Sequence, residues 1–497
     1  MTKICFFVLL LTSHIAYSQI NFGLRQELEK GTGMGEYMKV SGNTMFLSQV
    51  QKDEVKVYSR QEDGTWIFQQ TLKPSDKSPD ITTDWGFGNS MALNDSNAVI
   101  TAVYKGLIKK EAGGVYFYRK GSDGLWQEEF VFENPTTFNY YGGKNIAIHK
   151  NRATVSHDNG YPRFVHIFER QHNGTWVIND TIRETEFRGL DGIKAYFDDT
   201  TFIAMSFEFE DQKVKEFRLQ SNGDWTNTQT LETGITTYST YFGQFLSVDN
   251  NYQMAVSAPY FTINEENTFL THAGKVYIYE RVNNAWVLQQ ELISPAPHVI
   301  ESFGKDVLIK GDILIIVSQN TKNSSGNFFG SVRIYNKINT KWTLTQTYYP
   351  ENQSQIGRNV FYEDGQIISF GYNGVHILEI IDCEGIAGRQ AKLNSCGICY
   401  GGTTGLDSLQ SEEQCLPTSV YPASPKAVIS VSPNPFDNQI TIEAPDNATI
   451  SLTDCYGKIL ARHIATGQFD ASHLHPGMYF LIVESEGEKY STKLFKK

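Results

Sequence analysis

A unit of about fifty residues recurs along most of this chain, and that repetition limits the possible folds more than any other feature. Its clearest copy runs Trp85-Gly-Phe-Gly-Asn-Ser-Met-Ala-Leu, Asn97-Ala-Val-Ile-Thr-Ala, Gly114-Val-Tyr-Phe-Tyr-Arg119 and Asp123-Gly-Leu-Trp126. The same order returns at Tyr241-Phe-Gly-Gln-Phe-Leu-Ser-Val, Met254-Ala-Val-Ser, Gly274-Lys-Val-Tyr-Ile-Tyr and Trp286. It returns again at Ser302-Phe-Gly-Lys-Asp-Val, Leu314-Ile-Ile-Val-Ser, Gly330-Ser-Val-Arg-Ile-Tyr335 and Trp342. The first glycine of each unit gives seven anchors: Gly35, Gly88, Gly143, Gly192, Gly243, Gly304 and Gly357. Their spacings are 53, 55, 49, 51, 61 and 53 residues. An apolar run begins ten residues after five anchors, at Met45, Ala98, Ala153, Leu314 and Ile367, and eleven after the other two, at Ile203 and Met254.

Between anchor and run lies a turn such as Asn94-Asp95, Asp198-Asp199, Asp249-Asn250 or Gly311-Asp312. These residues tolerate the positive φ of tight hairpins. Six tryptophans keep phase, Trp66, Trp126, Trp176, Trp225, Trp286 and Trp342, several of them after an Asp-Gly or Asn-Gly turn. Each unit therefore reads as four antiparallel strands, the third aromatic and the fourth carrying the tryptophan. The third strands, such as Val115–Tyr118 and Val276–Tyr279, are apolar on both faces or nearly so. A blade covered by a neighbour on each side loses strict alternation in this way. The pattern predicts an all-β chain with a β-propeller over residues 19–381. There are seven anchors but six tryptophan strands. Leu24-Arg-Gln-Glu-Leu28 matches Leu288-Gln-Gln-Glu-Leu292, so the N-terminal strand is expected to complete a seventh blade. Six blades is the alternative.

Residues 1–18 read as a secretory signal peptide: Lys3 is followed by an apolar stretch, with Ala16 and Ser18 at the −3 and −1 positions of a cleavage site. The stretch is shorter than the roughly 20 apolar residues of a membrane span, and no other segment reads as transmembrane. A formal net charge of −12 argues against a nucleic-acid partner held by bulk charge. Residues 382–415 carry Cys383, Cys396, Cys399 and Cys415. In an exported chain such a cluster reads first as two disulfides stapling a segment without a core. Zinc on four thiolates and a redox pair are the competing readings. Residues 416–429 are a Pro- and Ser-containing linker.

With these residues in view, residues 20–381 resemble bacterial FG-GAP-type β-propeller repeats, most strongly in the second, fifth and sixth units and least in the third and fourth. Calcium-binding members of that family carry a dense Asp-x-Asp-x-Asp-Gly loop. This chain has none, so no metal site and no other cofactor is carried over, although calcium stays open. The Asp-Gly-x-Trp turns faintly resemble the Asp-boxes of sialidases, without their leading Ser, and are read as structural turns.

Residues 430–497 show Pro433-Asn434-Pro435-Phe436, Asp454-Cys-Tyr-Gly457-Lys458, Gly477-Met-Tyr479 and a Lys-rich final strand. Alternating apolar residues around them predict a small β-sandwich of about seven strands. The order of these motifs resembles the type A C-terminal sorting domain of the type IX secretion system. The resemblance implies recognition by outer-membrane secretion and sorting machinery, then a mature protein that is released or attached to the surface.

For the propeller two functions compete. One is a binding or adhesion module for a glycan or protein, presented on its longest loops, Val103–Ala112 and Tyr260–Ala273. The alternative is a glycan-acting hydrolase or lyase, which needs convergent carboxylates or a Tyr or His base. Glu208, Glu210 and Asp211 are the carboxylates at hand, but no catalytic set is legible.

Overall fold

The computed structural model describes residues 22–380 and 430–496, together with 392–393 and 399–400. Excepted are the short segments 29–36, 79–83, 106–112, 134–140, 158–163, 184–194, 209–210, 236–239, 251, 266–267, 323–327, 351–355, 372–373, 435, 445–447, 455–458, 463–465, 475–476 and 486–487. The signal peptide, three of the four clustered cysteines, and the anchors Gly35 and Gly192 lie outside these residues. The chain divides into two compact units, Met1–Ser411 and Glu412–Lys497.

Among the described residues, the first unit holds seven four-stranded antiparallel sheets. Sheet I is Met38–Ser41, Thr44–Gln49, Glu54–Arg60 and Trp66–Leu72. Sheet II is Phe87–Leu93, Asn97–Ala102, Gly114–Lys120 and Trp126–Glu133. Sheet III is Tyr141–His149, Arg152–His157, Phe164–Arg170 and Trp176–Arg183. Sheet IV is Tyr196–Phe197, Thr201–Glu208, Asp211–Leu219 and Trp225–Glu232. Sheet V is Leu246–Val248, Gln253–Ala258, Lys275–Val282 and Ala285–Leu292. Sheet VI is Phe303–Lys310, Ile313–Ser318, Ser331–Ile338 and Lys341–Tyr348. Sheet VII takes Ile356–Glu363, Gln366–Gly371 and Val375–Ile380, and its fourth strand is Phe22–Leu28 from the chain's other end. Second strands begin one or two residues before the apolar runs read from the sequence.

Each sheet packs on the next through its own apolar cluster. Phe46 and Val55 of sheet I meet Phe87 and Tyr116 of sheet II. Corresponding clusters join II to III, III to IV, IV to V, V to VI and VI to VII. The last joins Ile368 and Ile377 of sheet VII to Met45 and Leu47 of sheet I, so the succession returns to its start. These sheets are consistent with propeller-like blades. Second strands such as Thr44–Gln49 and Gln366–Gly371 are buried along their whole length, because a neighbour covers each face. Each fully buried Val, Leu, Ile or Phe there contributes about 1.5–3 kcal/mol.

The anchor glycines Gly88, Gly243, Gly304 and Gly357 answer a steric demand. Gly304 has φ +82°, and a Cβ there would lie 2.7 Å from Val276 Cγ2 of the preceding sheet. Only glycine combines that backbone with that approach.

The fourth strands share two further devices. All seven carry a register shift in the fourth strand next to the third residue past the tryptophan position: Arg25, Gln69, Glu129, Asn179, Thr228, Gln289 and Thr345. Such bulges twist an exposed edge and discourage pairing with another chain. One residue further on, in five of the seven, a glutamine clamps the next sheet. Gln70 accepts from the Trp126 N–H at 2.7 Å and donates to its carbonyl at 2.9 Å. Gln26 does the same to Trp66, Gln229 to Trp286 and Gln290 to Trp342. Gln346 clamps Phe22, which stands where the other sheets have tryptophan, with both bonds at 2.7 Å.

In the second unit, Ser430–Ser432, Gln439–Glu443 and Gly467–Asp470 form one sheet. Ile459–Arg462, Thr449–Asp454, Gly477–Ser485 and Glu488–Lys496 form another. They share a core of Phe436, Ile440, Ile442, Ile450, Leu452, Leu481 and Val483 with their neighbours. Among the described residues no helix is long and apolar enough to cross a membrane.

Candidate functional site

The two long loops singled out from the sequence have different interiors. In the described part of the first, Val103–Lys105, Val103 and Lys105 turn inward while Tyr104 is exposed. Lys105 is 1% exposed, forms ion pairs with Asp76 and with Glu133 (2.9 Å), and lies over the Tyr116 ring at 4.9 Å. Tyr116 Oη donates to Asp76 at 2.7 Å. Burial, reinforced by that bond and the Asp76 charge, raises the Tyr116 pKa far above the usual tyrosine value.

The second loop, Tyr260–Ala273, opens outward. Ile263–Glu265 and Thr268–Leu270 make a small hairpin that presents Phe269, 64% exposed. Phe261, Ile263, Asn264, Lys275, Glu291 and Ile293 line a cavity of about 450 Å³ beneath it. Lys275 sits 4.4 Å from the Phe261 ring centre and pairs with Glu291 at 2.8 Å. Tyr260 turns the other way. It meets Tyr241 edge-on at 4.8 Å and His272 at 4.9 Å, and Lys305 lies over its ring at 5.6 Å. His272 is exposed, and Tyr241, Tyr260 and Lys305 are half-buried.

This face is held by its backbone. The amides of Ile300, Ser302 and Phe303 donate to the carbonyls of Thr271, His272 and Ala273 at 2.8–2.9 Å. A Cβ at Gly274 would lie 2.1 Å from the Phe303 carbonyl oxygen, so the two loops meet at backbone distance. Four non-glycine residues here have positive φ: Tyr241 (54°), His272 (53°), Ile300 (66°) and Ser302 (56°). Tyr241 and Ser302 stand two residues before an anchor glycine, where sheet II has Gly86 at φ 69°, so at those two the turn belongs to the repeat. Apart from Asp53, the other such residues among those described sit in hairpin turns, where a positive φ is routine. A branched residue such as Ile300 is strained there, and strain of this kind gathers at ligand sites. Below the loop, the buried Glu301 accepts from Arg333 at 2.7 Å, and Arg333 also donates to Ser318 at 2.6 Å.

Lys305 is the unusual charge. It directly follows the anchor Gly304, as Arg358 follows Gly357 one sheet on and Gln244 follows Gly243 one sheet before. Among the described residues its ammonium makes no ion pair and no hydrogen bond. Asp306 beside it bonds instead to the Val307 and Val360 amides at 2.7 and 2.9 Å. Burial, then the positive charge of Arg358, lowers the Lys305 pKa from the ordinary lysine value, against an opposing pull from Asp306.

Of the carboxylates considered for catalysis, Glu208 and Asp211 pair across the end of one hairpin in sheet IV, and Glu210 lies outside the described residues. The charged cluster in that sheet is instead Glu216. It is buried and accepts from Arg281 at 2.7 and 3.0 Å, from Arg218 and from Trp286 Nε1 at 2.6 Å. No group of three or more His, Cys, Asp or Glu residues suited to a metal occurs among the described residues. The Asp-Gly-x-Trp turns use their side chains internally: Asp63 Oδ1 accepts from the Thr65 amide and hydroxyl at 2.9 and 2.6 Å. Cys399 contributes backbone to a short pairing with Leu393, while Cys383, Cys396 and Cys415 lie outside the described residues.

In the second unit the Pro-Asn-Pro-Phe motif latches the final strand. Asn434 donates to the Lys493 carbonyl at 2.7 Å and accepts from the Phe495 amide at 2.9 Å. The Phe436 ring is fully buried, and Lys496 donates to the carbonyls of Asp437 and Ala471 at 2.6 and 2.9 Å. Tyr479 packs into the core next to Gly477. Pro433 precedes the latch, the Asp454 backbone pairs with Tyr479, and Pro435, Gly457 and Lys458 lie outside the described residues.

A tail of this build marks a class of exported proteins. The family model of the secretion system C-terminal sorting domain matches residues 430–497. The protein is thus a cargo of type IX secretion, sent to the cell surface for attachment or release. No curated protein matches the sequence. Among solved structures, the chain is similar to a provisionally assigned 6-phosphogluconolactonase from Bacteroides uniformis, at 11% identity over 70% of this chain and 91% of that one, TM-score 0.45. It is similar to another of the same provisional assignment from Bacteroides fragilis, at 9% identity over 74% and 92%, TM-score 0.45. A third is Sqt1 from Chaetomium thermophilum, at 10% identity over 68% and 80%, TM-score 0.43.

Proposed function

We propose that residues 19–381 are a seven-bladed FG-GAP-type β-propeller that serves as a binding or adhesion module outside the cell, with its ligand site on the loop face of sheets V and VI. The observation that carries this is the aromatic cluster of Tyr241, Tyr260 and His272 beside an open cavity, on a loop where His272 and Ile300 hold positive φ. A strained backbone persists where surrounding contacts over-determine it, and a preformed site gains affinity by not having to be ordered on binding. The ligand class is a glycan or a protein. Two disulfides among Cys383, Cys396, Cys399 and Cys415 complete the reading, and a mass gain of four thiol labels only after reduction would support them.

The test is a glycan-array and host-matrix binding screen, with and without calcium, with mass spectrometry of each glycan after incubation. Saturable binding that leaves the glycan mass unchanged is the expected result. A shortened or unsaturated product would make the propeller a hydrolase or lyase instead.

A further inference from the structure

We propose that the loop face of sheets V and VI takes an acidic glycan, with Lys305 holding the sugar's carboxylate or sulfate and Tyr260 with His272 stacking on its apolar ring face. This rests on the binding-module reading and deepens it.

The argument starts from an incomplete charge. An ammonium withdrawn from water needs acceptors in return. Lys105 in sheet II has two carboxylates, and Lys275 and Lys337 have one each. Lys305 is half-buried against the Tyr260 and Phe245 rings, at 5.6 and 6.0 Å, and makes no ion pair among the described residues, the adjacent Asp306 acting on it through charge alone. The neighbouring sheet places Arg358 at the same register, and the positive charge of that residue adds to the local field. An incoming oxyanion would supply the missing acceptor in partly desolvated surroundings, where a charge-assisted hydrogen bond is strongest. The whole chain carries a net charge of −12, so bulk electrostatics would repel such a ligand and the attraction must be local.

The rings beside the cation narrow the ligand. Tyr260, Tyr241 and His272 stand together with polar rims and partly open faces. A pyranose presents hydroxyls at its edge and C–H groups on its face, which suits such a platform. The backbone bonds from Ile300–Phe303 to Thr271–Ala273 fix the distance between platform and cation. Carboxylated and sulfated sugars share this chemistry.

The test uses the full chain with three polymers: polygalacturonate, dextran sulfate and uncharged dextran. Binding is measured by calorimetry or biolayer interferometry at two salt concentrations. We expect tight, salt-sensitive binding to one or both acidic polymers and none to dextran. Preference for polygalacturonate identifies a carboxylate, and preference for dextran sulfate identifies a sulfate. Lys305→Met should weaken binding at least about tenfold, the scale of one charge-assisted hydrogen bond. Lys341→Met, which removes an exposed charge at a hairpin turn of sheet VI, should leave binding unchanged. Tyr260→Leu should weaken it severalfold, and Lys305→Met should lose binding with an unfolding midpoint no lower than that of the wild type. Acidic polymers binding no better than dextran, or Lys305→Met binding like wild type, would overturn the proposal. If an array then finds a neutral glycan or protein ligand, the binding-module reading stands and only this inference falls. If nothing binds, both fall.

Discussion

Sheets II and V–VI solve the same electrostatic problem in opposite ways. Both bring a lysine against aromatic rings at the loop end of a sheet. Lys105 lies under Trp85 and Tyr116 with Asp76 and Glu133 as partners, sealed from solvent. Lys305 lies under Tyr260 and Phe245 with no ion pair to a carboxylate among the described residues, and remains half open. A cation whose partners are already inside stabilises the architecture. A cation desolvated without partners weakens the fold slightly and leaves room for a partner from outside, as proposed above. The same distinction separates Glu216, enclosed by Arg281, Arg218 and Trp286, from an acid available for chemistry.

The largest effect should come from the pair beneath the open face. Glu301→Gln leaves Arg333 charged and buried without its carboxylate, and should cost about 3–5 kcal/mol in equilibrium denaturation. Next comes the direct comparison. Lys105→Met should cost about 3 kcal/mol, because Asp76 and Glu133 lose their cation, whereas Lys305→Met should leave the denaturation midpoint unchanged or higher. Equal losses at the two lysines would erase the distinction.

The closing clamp should contribute less. Gln346→Ala removes two hydrogen bonds to Phe22 and should cost about 1–2 kcal/mol. Because Phe22–Leu28 is the only strand of sheet VII from the N-terminal end, protease sensitivity near residue 22 should rise with it.

Much of this scaffold was legible because each repeat answers one steric demand at one place. The anchor glycines, the second-strand starts and the tryptophans follow from the close approach of neighbouring sheets, so spacing alone located them. The glutamine four residues past Trp66, Trp225, Trp286 and Trp342, and past Phe22, was equally visible, but it was missed. The series breaks at Phe130 and Asp180. There an Arg170–Glu129 pair and a bond from Trp225 Nε1 to Asp180 take over. Phe130 and Asp180 lie in the second and third sheets, so the clamps that are missing are those onto the third and fourth. The site was only half legible. Sequence singled out the Tyr260–Ala273 loop as a candidate, since length and aromatic content mark it. The isolation of Lys305 depends on where Asp306 turns and what sheets V and VII place beside it, and no spacing in one repeat encodes that.

Titration sharpens the contrast further. Burial alone would raise the Glu216 pKa, but bonds from Arg281 and Arg218 outweigh it and hold the carboxyl below its ordinary 4.5. Its folded value is depressed, so its contribution is complete above the unfolded value. That contribution is lost as pH falls through the folded value. Glu216→Gln should therefore flatten the acid limb of a stability–pH curve measured by denaturant midpoints.

Lys305 should give the smallest signal, at the other end of the scale. Its folded pKa lies below the ordinary lysine value of 10.5 through burial and the Arg358 charge. Between those two values the unfolded chain holds a proton that the folded chain has released, so stability rises with pH across that window. Below it the full penalty of the unpaired ammonium persists. Lys305→Met should abolish the alkaline rise and, at neutral pH, match or exceed the wild type. Bound polygalacturonate or dextran sulfate should abolish the same rise by keeping Lys305 protonated. A wild-type curve whose alkaline limb ignores both the substitution and the polymers would mean that Lys305 already has its partner, and the two lysines would then belong to one class.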